Sequence, residues 1–335
     1  MTPLGRQTAP SDQASAQVTI VGLGLIGTAL GLALKASGTL NLRIVGHDKE
    51  PDASSFALKA RAVDRTEWHL IRAVEKADLV VLAVPLAAMR GLFEAIGPVL
   101  KPGCVVTDTA STKGAVMQWA AELLPGHVHF VGGDPIVQAG TGGQRAASPS
   151  LFQHAMYGIV ALPQTSPEAV QVVVDMVESI QAQPLFLDPA EHDGLVAVTA
   201  NLPLLLAAAL LNTAGQEGTW REVRRLAGGT FDAATQLGSG GADVLTGATL
   251  ANAGNIVRWL DTYTAQLAAW RAHLLANDQA ALSDLFGQAL EARAEWLVER
   301  SQGFSEALPL HEAPPSNVQR LFGIRRRSPK PDQKG

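Results

Sequence analysis

Short, continuously apolar runs alternate with helical segments from about Gln17 to Leu187, and this alternation constrains the fold more than any other feature. Strands that are apolar on both faces and separated by helices belong to a parallel sheet covered on its two sides. The sequence therefore predicts a doubly wound α/β domain over residues 17–187. The predicted strands are Val18–Val21, Leu42–Gly46, Leu79–Ala83, Val105–Thr107, His129–Val131, Gly158–Ala161 and Leu185–Leu187. The predicted helices between them include Ile26–Ser37, Leu86–Ile96, Lys113–Leu124 and Pro167–Gln181.

The strand signals end after Pro189, and the rest of the chain has a helical pattern. The predicted helices there are Ala190–Gly215, Glu217–Ala227, Ala251–Leu275 and Asp278–Ser301. The first of them is apolar around most of its circumference, so we expect it to be packed on all sides, in part by a second subunit. The sequence thus predicts an all-helical domain over 188–303 that forms a homodimer. Residues 1–16 are predicted to be a flexible leader, and 304–335 a mobile tail.

The composition excludes several classes of protein. The 335 residues are 47% hydrophobic and 17% charged, which a disordered chain would not be. A net charge of −5 argues against a nucleic-acid partner. The single Cys104 allows neither an intramolecular disulfide nor a thiolate metal cluster, and no metal site is predicted. No export signal precedes the first strand, and the apolar stretch Leu202–Leu211 is too short to cross a bilayer, so we expect a cytoplasmic protein without a membrane partner.

The segment Gly22-Leu23-Gly24-Leu25-Ile26-Gly27 has the spacing G-x-G-x-x-G and lies between a predicted strand and a predicted helix. In a Rossmann-like domain the first glycine permits a tight turn. The second lets backbone approach a pyrophosphate, and the third lets the helix pack closely on the strand. The helix N-terminus adds N–H donors for the phosphates. This context predicts a dinucleotide site, and the open alternative is a strand–turn–helix that binds no nucleotide.

Two further segments complete the predicted cofactor site. Asp48 lies 24 residues after Gly24, where a carboxylate accepts hydrogen bonds from the ribose hydroxyls of the adenosine. The same carboxylate would repel a 2′-phosphate, so NAD is expected in preference to NADP, a preference that the neighbouring Lys49 can weaken. Val84 and Pro85, which close a predicted strand, are expected under the cofactor at the switch point of the sheet.

With these segments in place, the chain resembles the prephenate/arogenate dehydrogenase family of tyrosine biosynthesis over about residues 17–300. The resemblance rests on Gly22–Gly27, Ala77–Pro85, Thr107–Lys113, Val131–Ile136, Glu191–Asp193, Ala200–Pro203 and Phe231–Gln236, in this order. It implies a Rossmann domain, a helical dimerisation domain and an active site in the cleft between them. It also implies an NAD(P)-linked oxidative decarboxylation, in which the ring hydroxyl carbon gives hydride to the nicotinamide and the ring carboxylate leaves as carbon dioxide.

Three positions on the substrate side depart from the family's pattern. Asp134 stands where the resemblance places the catalytic histidine of a His-Pro-Met or His-Pro-Ile stretch. Asn201 replaces the first histidine of Ser-His-Leu-Pro-His, and Gln236 replaces an arginine that binds substrate carboxylate in Thr-Arg-Ile-Ala. Asp134 can accept the hydroxyl proton, but an ordinary aspartate pKa of about 3.9 makes it a weaker base than histidine unless desolvation raises that pKa.

Other polar residues of the family's motifs are retained. The resemblance places Ser111 near the reacting hydroxyl, and a cap of the following helix is the compatible alternative. Lys113 is expected either to meet a substrate carboxylate or to be a solvated surface lysine. For His192 and Asp193 we favour a structural role at the junction of the two domains.

The leading functional prediction is a dehydrogenase that acts by oxidative decarboxylation on a small-molecule substrate, prephenate or arogenate. Two alternatives stay open. The first is a related nicotinamide-dependent oxidoreductase with a different substrate. The second belongs to another class of protein, a catalytically silent NAD-binding sensor. Turnover of any hydroxy substrate separates both enzymes from the sensor.

Overall fold

The computed structural model of the protein describes residues 16–38, 42–137, 142–216, 220–237 and 241–302. Apart from Ala16, the predicted leader and the predicted tail lie outside these residues. The strands are β1 (Ala16–Val21), β2 (Leu42–His47), β3 (Arg65–Thr66), β4 (Leu79–Leu82), β5 (Val105–Asp108), β6 (His129–Pro135), β7 (Met156–Val160) and β8 (Gln183–Phe186). The helices of the α/β domain are α1 (Leu25–Ala36), α2 (Pro51–Lys59), α3 (Leu70–Val74), α4 (Leu86–Ile96), α5 (Gly114–Leu123) and α6 (Pro167–Ser179).

The eight strands form one sheet in the order β3-β2-β1-β4-β5-β6-β7-β8. The first six strands are parallel, which confirms the doubly wound fold, whereas β7 runs antiparallel to β6 and β8 follows the direction of β7. The expectation of a wholly parallel sheet is therefore wrong for the last two strands. In the described part of the β6–β7 connection the only helical element is a 3₁₀ turn at Gly143–Ala146. A connection without a crossover helix suits antiparallel pairing.

Alternate residues of the central strands pack on opposite faces of the sheet. Ile20 and Val81 belong to one buried cluster, which α1 and α6 cover, and Val21 and Leu82 belong to the other, which α4 and α5 cover. All four side chains are buried. Both faces of the sheet are thus covered, and this explains why the strands are continuously apolar rather than alternating in polarity.

The second half of the described chain is helical, as predicted. Its helices are α7 (Pro189–Val196), α8 (Leu202–Gln216), α9 (Trp220–Leu226), α10 (Gly229–Ala234), α11 (Ala242–Ala251), α12 (Ala253–Leu275) and α13 (Gln279–Gln302). The helix predicted over Ala190–Gly215 forms as α7 and α8 joined by a π turn at Ala197–Asn201. Helices α10 and α11 were not predicted, since both are short and glycine-flanked.

The stretch Pro189–Gly215 is the most apolar part of the helical domain. Its 27 residues have a mean hydropathy of 2.1 in their most apolar window, so length and composition alone allow a membrane span, contrary to the sequence argument. Only 28% of that window is buried within the single chain. The predicted packing on all sides is therefore not supplied by one chain.

An apolar cleft of about 820 Å³ lies beside α8. Side chains of α8, α10, α11 and α12 line it, among them Leu204, Leu210, Leu245 and Leu267. Gln236, which follows α10, is also at its wall. The cleft gives the helical domain an apolar surface that its own residues leave open.

Candidate active site

The glycine loop between β1 and α1 has the geometry that its spacing predicts. Gly22 has a φ of +92°, and a Cβ there would lie 2.2 Å from the carbonyl oxygen of Ala83. A Cβ on Gly27 would lie 1.9 Å from the carbonyl oxygen of Gly22. A Cβ on Gly24, by contrast, would meet no protein atom within 4 Å. Packing thus requires the first and third glycines, while the second leaves an open space that a phosphate group fits.

Asp48 follows β2 and orients the glycine loop. Its Oδ2 accepts a hydrogen bond from the Leu23 N–H at 2.6 Å, and its Oδ1 accepts one from the Glu50 N–H at 2.8 Å. The carboxylate is half-buried and each oxygen keeps a further lone pair. Those lone pairs can accept hydrogen bonds from ribose hydroxyls. Helix α1 begins at Leu25, so the first N–H groups of α1, including those of Leu25 and Ile26, can face a phosphate.

Val84 and Pro85 lie at the carboxyl end of β4, beside the glycine loop. A Cβ on Gly22 would approach the Cγ1 of Val84 to 2.9 Å, so this valine contacts the loop directly. Pro85 is the N-cap residue of α4. Strands β1 and β4 are neighbours although they are not consecutive, which makes this the topological switch point where open α/β sheets bind ligands.

Gln144 is a residue of this site that the sequence analysis missed. Its Nε2 lies 2.5 Å from the carbonyl oxygen of Leu23, 2.8 Å from that of Ala53 and 3.2 Å from the Thr28 hydroxyl. It therefore ties the 3₁₀ turn after β6 to the glycine loop, α1 and α2. No local motif marks a glutamine that contacts a loop 121 positions earlier in the chain.

Replacing Gln144 by alanine is expected to weaken dinucleotide binding about fivefold. The variant loses the hydrogen bond that holds the glycine loop at Leu23, and one such bond contributes about 1 kcal/mol net. The dissociation constant for NAD, measured by fluorescence titration, checks this. Gln153→Ala, at an exposed glutamine of the same β6–β7 connection, is the matched control and should bind NAD like the wild type. Equal affinities in both variants would contradict a positioning role for Gln144.

A buried ion pair joins the ends of β5 and β6. The Lys113 ammonium donates to Asp108 Oδ2 and, at 2.7 Å, to the carbonyl oxygen of Gly133. Asp108 also accepts from the N–H groups of Ala110 and Gly133, at 3.0 Å each. Both charged side chains are fully buried. Lys113 is therefore not a solvated lysine, and its ammonium has no exposed surface with which to contact a substrate carboxylate, contrary to both expectations.

Beside this ion pair, Asp134, His192 and Asp193 form a chain of hydrogen bonds. Asp134 Oδ2 lies 3.2 Å from His192 Nε2, and His192 Nδ1 lies 3.0 Å from Asp193 Oδ1. The Asp193 carboxylate also accepts the N–H groups of Lys113 at 2.6 Å and Gly114 at 2.8 Å. It thereby caps α5 from the other domain, in line with the junction role favoured from the sequence. His192, however, has a second partner that the sequence did not suggest.

The three groups have shifted pKa values. Burial raises the pKa of Asp134 above its ordinary range, against the opposing effect of its bond to His192. Burial alone would lower the pKa of His192, but hydrogen bonds to Asp134 and Asp193 outweigh it and raise the pKa. Burial would raise the pKa of Asp193, yet His192 and the N–H groups of Lys113 and Gly114 lower it. Asp193 is thus held ionised, while Asp134 and His192 retain a proton to higher pH than usual.

Three further residues of the predicted site, Asn201, Gln236 and Ser111, are not members of this hydrogen-bonded chain of side chains. Asn201 is buried in the π turn and accepts a hydrogen bond at 3.0 Å from Asn252, which also donates to the carbonyl oxygen of Asp193 at 2.8 Å. Gln236 is exposed at the apolar cleft. Ser111 is exposed in the β5–α5 loop and does not cap α5, because Lys113 is the N-cap residue and Asp193 accepts its N–H. The helix-cap interpretation of Ser111 is therefore wrong.

The fold and the glycine loop together define a dinucleotide-binding domain joined to a helical domain. Two sequence models of one family match most of this chain. The model described as the nucleotide-binding domain of prephenate dehydrogenase matches residues 30–185. The model described as its dimerization domain matches residues 188–288. The chain belongs to the prephenate dehydrogenase family.

Individual relatives agree with this assignment. Prephenate dehydrogenase of Bacillus subtilis is 28% identical over 284 residues, which are 84% of this chain and 76% of that protein. The crystal structure of Synechocystis arogenate dehydrogenase matches with a TM-score of 0.70 at 25% identity, covering 84% of this chain and 99% of that one. The A. aeolicus prephenate dehydrogenase, solved with hydroxyphenyl propionate and NAD+, shares the fold with a TM-score of 0.78 at 22% identity, covering 85% and 99%.

Proposed function

We propose that this chain catalyses the NAD-dependent oxidative decarboxylation of a substrate of the prephenate/arogenate type. One observation carries the proposal. The glycine loop with Asp48 and the buried Asp134 both lie at the carboxyl edge of one sheet, the first after β1 and β2 and the second at the end of β6. A hydride acceptor and a proton acceptor at the same edge suit the oxidation of an alcohol.

The residues of the glycine loop fit the cofactor. The space at Gly24 and the first N–H groups of α1 suit the pyrophosphate, and the lone pairs of Asp48 suit the ribose hydroxyls. When bound, NAD supplies a nicotinamide ring that accepts hydride from the hydroxyl-bearing carbon. Val84 and Pro85, at the carboxyl end of β4, would help to hold the cofactor there.

The chain itself handles the hydroxyl proton. Asp134 is proposed to accept the proton as hydride leaves, so that the O–H electrons form a carbonyl. When the ring carboxylate leaves as carbon dioxide, its bonding electrons enter the ring, the oxygen becomes a phenolate, and the proton returns to it. Ser111, exposed in the β5–α5 loop, is proposed to position the hydroxyl. Asn201 supports this arrangement through Asn252 and the backbone of Asp193.

The charges around the site favour the less negative of the two substrates. Arogenate carries an ammonium group on its side chain, whereas prephenate does not. In its proton-accepting state Asp134 is an anion where the resemblance implies a histidine, and Gln236 lacks the charge of the implied arginine. Two unit charges about 4 Å apart, at an effective dielectric near 20, interact with an energy of about 4 kcal/mol. We therefore propose that arogenate is preferred, with Gln236 as an amide donor to a substrate carboxylate.

The expected result is that kcat/KM for arogenate exceeds that for prephenate by at least about tenfold, a difference of only about 1.4 kcal/mol. The formation of NADH with each substrate, measured side by side, checks this. Gln236→Arg should narrow the gap, because it restores a cation. Turnover of neither substrate would contradict the proposed function, and a preference for prephenate would contradict the charge argument alone.

NAD is expected to bind at least about tenfold more tightly than NADP, because Asp48 accepts from a ribose hydroxyl and repels a 2′-phosphate. Fluorescence titration with both cofactors measures the two dissociation constants. Asp48→Ser should reduce the preference. Lys49, beside Asp48, is highly exposed, so Lys49→Ser is the control and should leave NAD binding unchanged. Equal affinities of the wild type for both cofactors would refute the role of Asp48.

We also propose a cytoplasmic homodimer in which the partner covers the apolar cleft and the open surface of α8. Light scattering at micromolar concentration should give twice the monomer mass of 35.1 kDa. Leu210→Glu, at the cleft, should give monomers, because it places a charge in the contact. Leu58→Glu, at a leucine of similar exposure in the other domain, should remain dimeric. A wild-type mass near 35.1 kDa would contradict the dimer.

A further inference from the structure

We propose that Asp134 and His192 act as one proton-accepting unit, which Asp193 orients, so that His192 supplies the imidazole that position 134 lacks. This inference rests on the proposed function and deepens it. The sequence alone placed His192 at the domain junction, because nothing local to the motif Glu191-His192-Asp193 indicates a partner on β6.

The hydrogen-bond partners determine which ring nitrogen faces Asp134. Asp193 already accepts the N–H groups of Lys113 and Gly114 at the start of α5, and these bonds hold it as an anion. An anionic carboxylate only accepts hydrogen bonds, so Nδ1 of His192 carries the proton at 3.0 Å from Asp193. In the neutral ring Nε2 therefore presents its lone pair to Asp134 Oδ2, at 3.2 Å.

The contact between Nε2 and Oδ2 makes the two groups titrate together. Without a proton between them, two acceptors face each other in a buried place, which is unfavourable. One proton satisfies both groups, whether it sits on the imidazole or on the carboxyl. The directions of both pKa shifts agree with this, since each group retains a proton to higher pH than usual.

The unit has one end open to a substrate. The Asp134 side chain is 7% exposed and the His192 side chain 1%, so a hydroxyl proton reaches Asp134 first. The substrate O–H bond breaks, the proton joins the carboxylate, and the bond to Nε2 lets the imidazole share the proton. The substrate electron pair forms the carbonyl while hydride reduces the cofactor. The unit returns the same proton to the phenolate.

Other titratable groups lie on the elements packed around this unit. On the sheet side lies the Lys113–Asp108 ion pair, whose opposite charges are in direct contact. The Tyr157 hydroxyl on β7 is buried, and burial raises its pKa, so it stays neutral. Arg258 on α12 approaches α7 at Gly194. Within this set, Asp134 and His192 are the two side chains that hydrogen-bond to each other across the domain junction.

The experiment compares two measurements on the NAD-saturated protein. The first is the pH profile of kcat with arogenate or prephenate, whose acidic limb should lie above the ordinary histidine pKa of about 6.5. The second is the NMR titration of isotope-labelled His192, whose pKa should coincide with that limb. Asp193→Asn removes the anion beside the imidazole ring. Both the acidic limb of kcat and the pKa of His192 should therefore shift to lower pH.

A variant at His192 and a control variant at a distant histidine complete the design. His192→Gln should lower kcat by about 10²–10⁴-fold, the range of general base catalysis, with NAD affinity unchanged. His127→Gln is the matched control, because His127 precedes β6 at the opposite edge of the sheet from Asp134. It should retain the wild-type kcat and pH profile.

Three outcomes would overturn the inference. One is wild-type kcat with an unchanged acidic limb in His192→Gln. Another is a limb that stays in place in Asp193→Asn while the NMR titration moves, because a merely structural histidine would behave in this way. If the wild type turns over neither substrate, the proposed function fails instead. In that case the proposed Asp134–His192 unit is contradicted if Asp134→Asn leaves the NMR-measured pKa of His192 unchanged.

Discussion

The Asp193 carboxylate accepts the N–H groups of Lys113, the N-cap residue of α5, and of Gly114, its first residue, as well as a ring N–H of His192. The arrangement of the site depends on these three bonds. The N–H groups at a helix start lack partners within the helix and carry partial positive charge, so they favour an ionised carboxylate. One anion thereby attaches the helical domain to the nucleotide-binding domain. It also turns the imidazole of His192 toward β6, where Asp134 lies.

The Lys113–Asp108 ion pair fixes the backbone next to Asp134. Burying two charges costs much free energy unless both have further hydrogen bonds, and here each has them. Because the lysine and the aspartate both bond to the backbone of Gly133, the ends of β5 and β6 are locked together next to Asp134. Lys113 thus stabilises the ends of two strands of the sheet. Of the residues for which a substrate role is proposed, Ser111 and Gln236 are exposed, whereas Lys113 is not.

Local signals predicted the geometry of the glycine loop, because a contiguous segment forms it. Gly22, Gly24 and Gly27 all lie in one strand–turn–helix unit, and Asp48 directly follows the next strand. The substrate side is different. Tertiary packing decides the direction of β7, the burial of Lys113 and the absence of a helix cap at Ser111. Hydrophobic periodicity and local motifs contain no information about such packing.

By itself, the sequence determined the doubly wound domain, the helical domain after it and the glycine loop, since hydrophobic periodicity and glycine spacing act over a few neighbouring residues. Only the tertiary structure decided what Asp134 touches. His192 is 58 residues away in the chain, and Gln144 is 121 residues from the loop that it contacts. Such pairs come together because whole strands and helices pack, so the chemistry of the substrate side follows from the assembled fold.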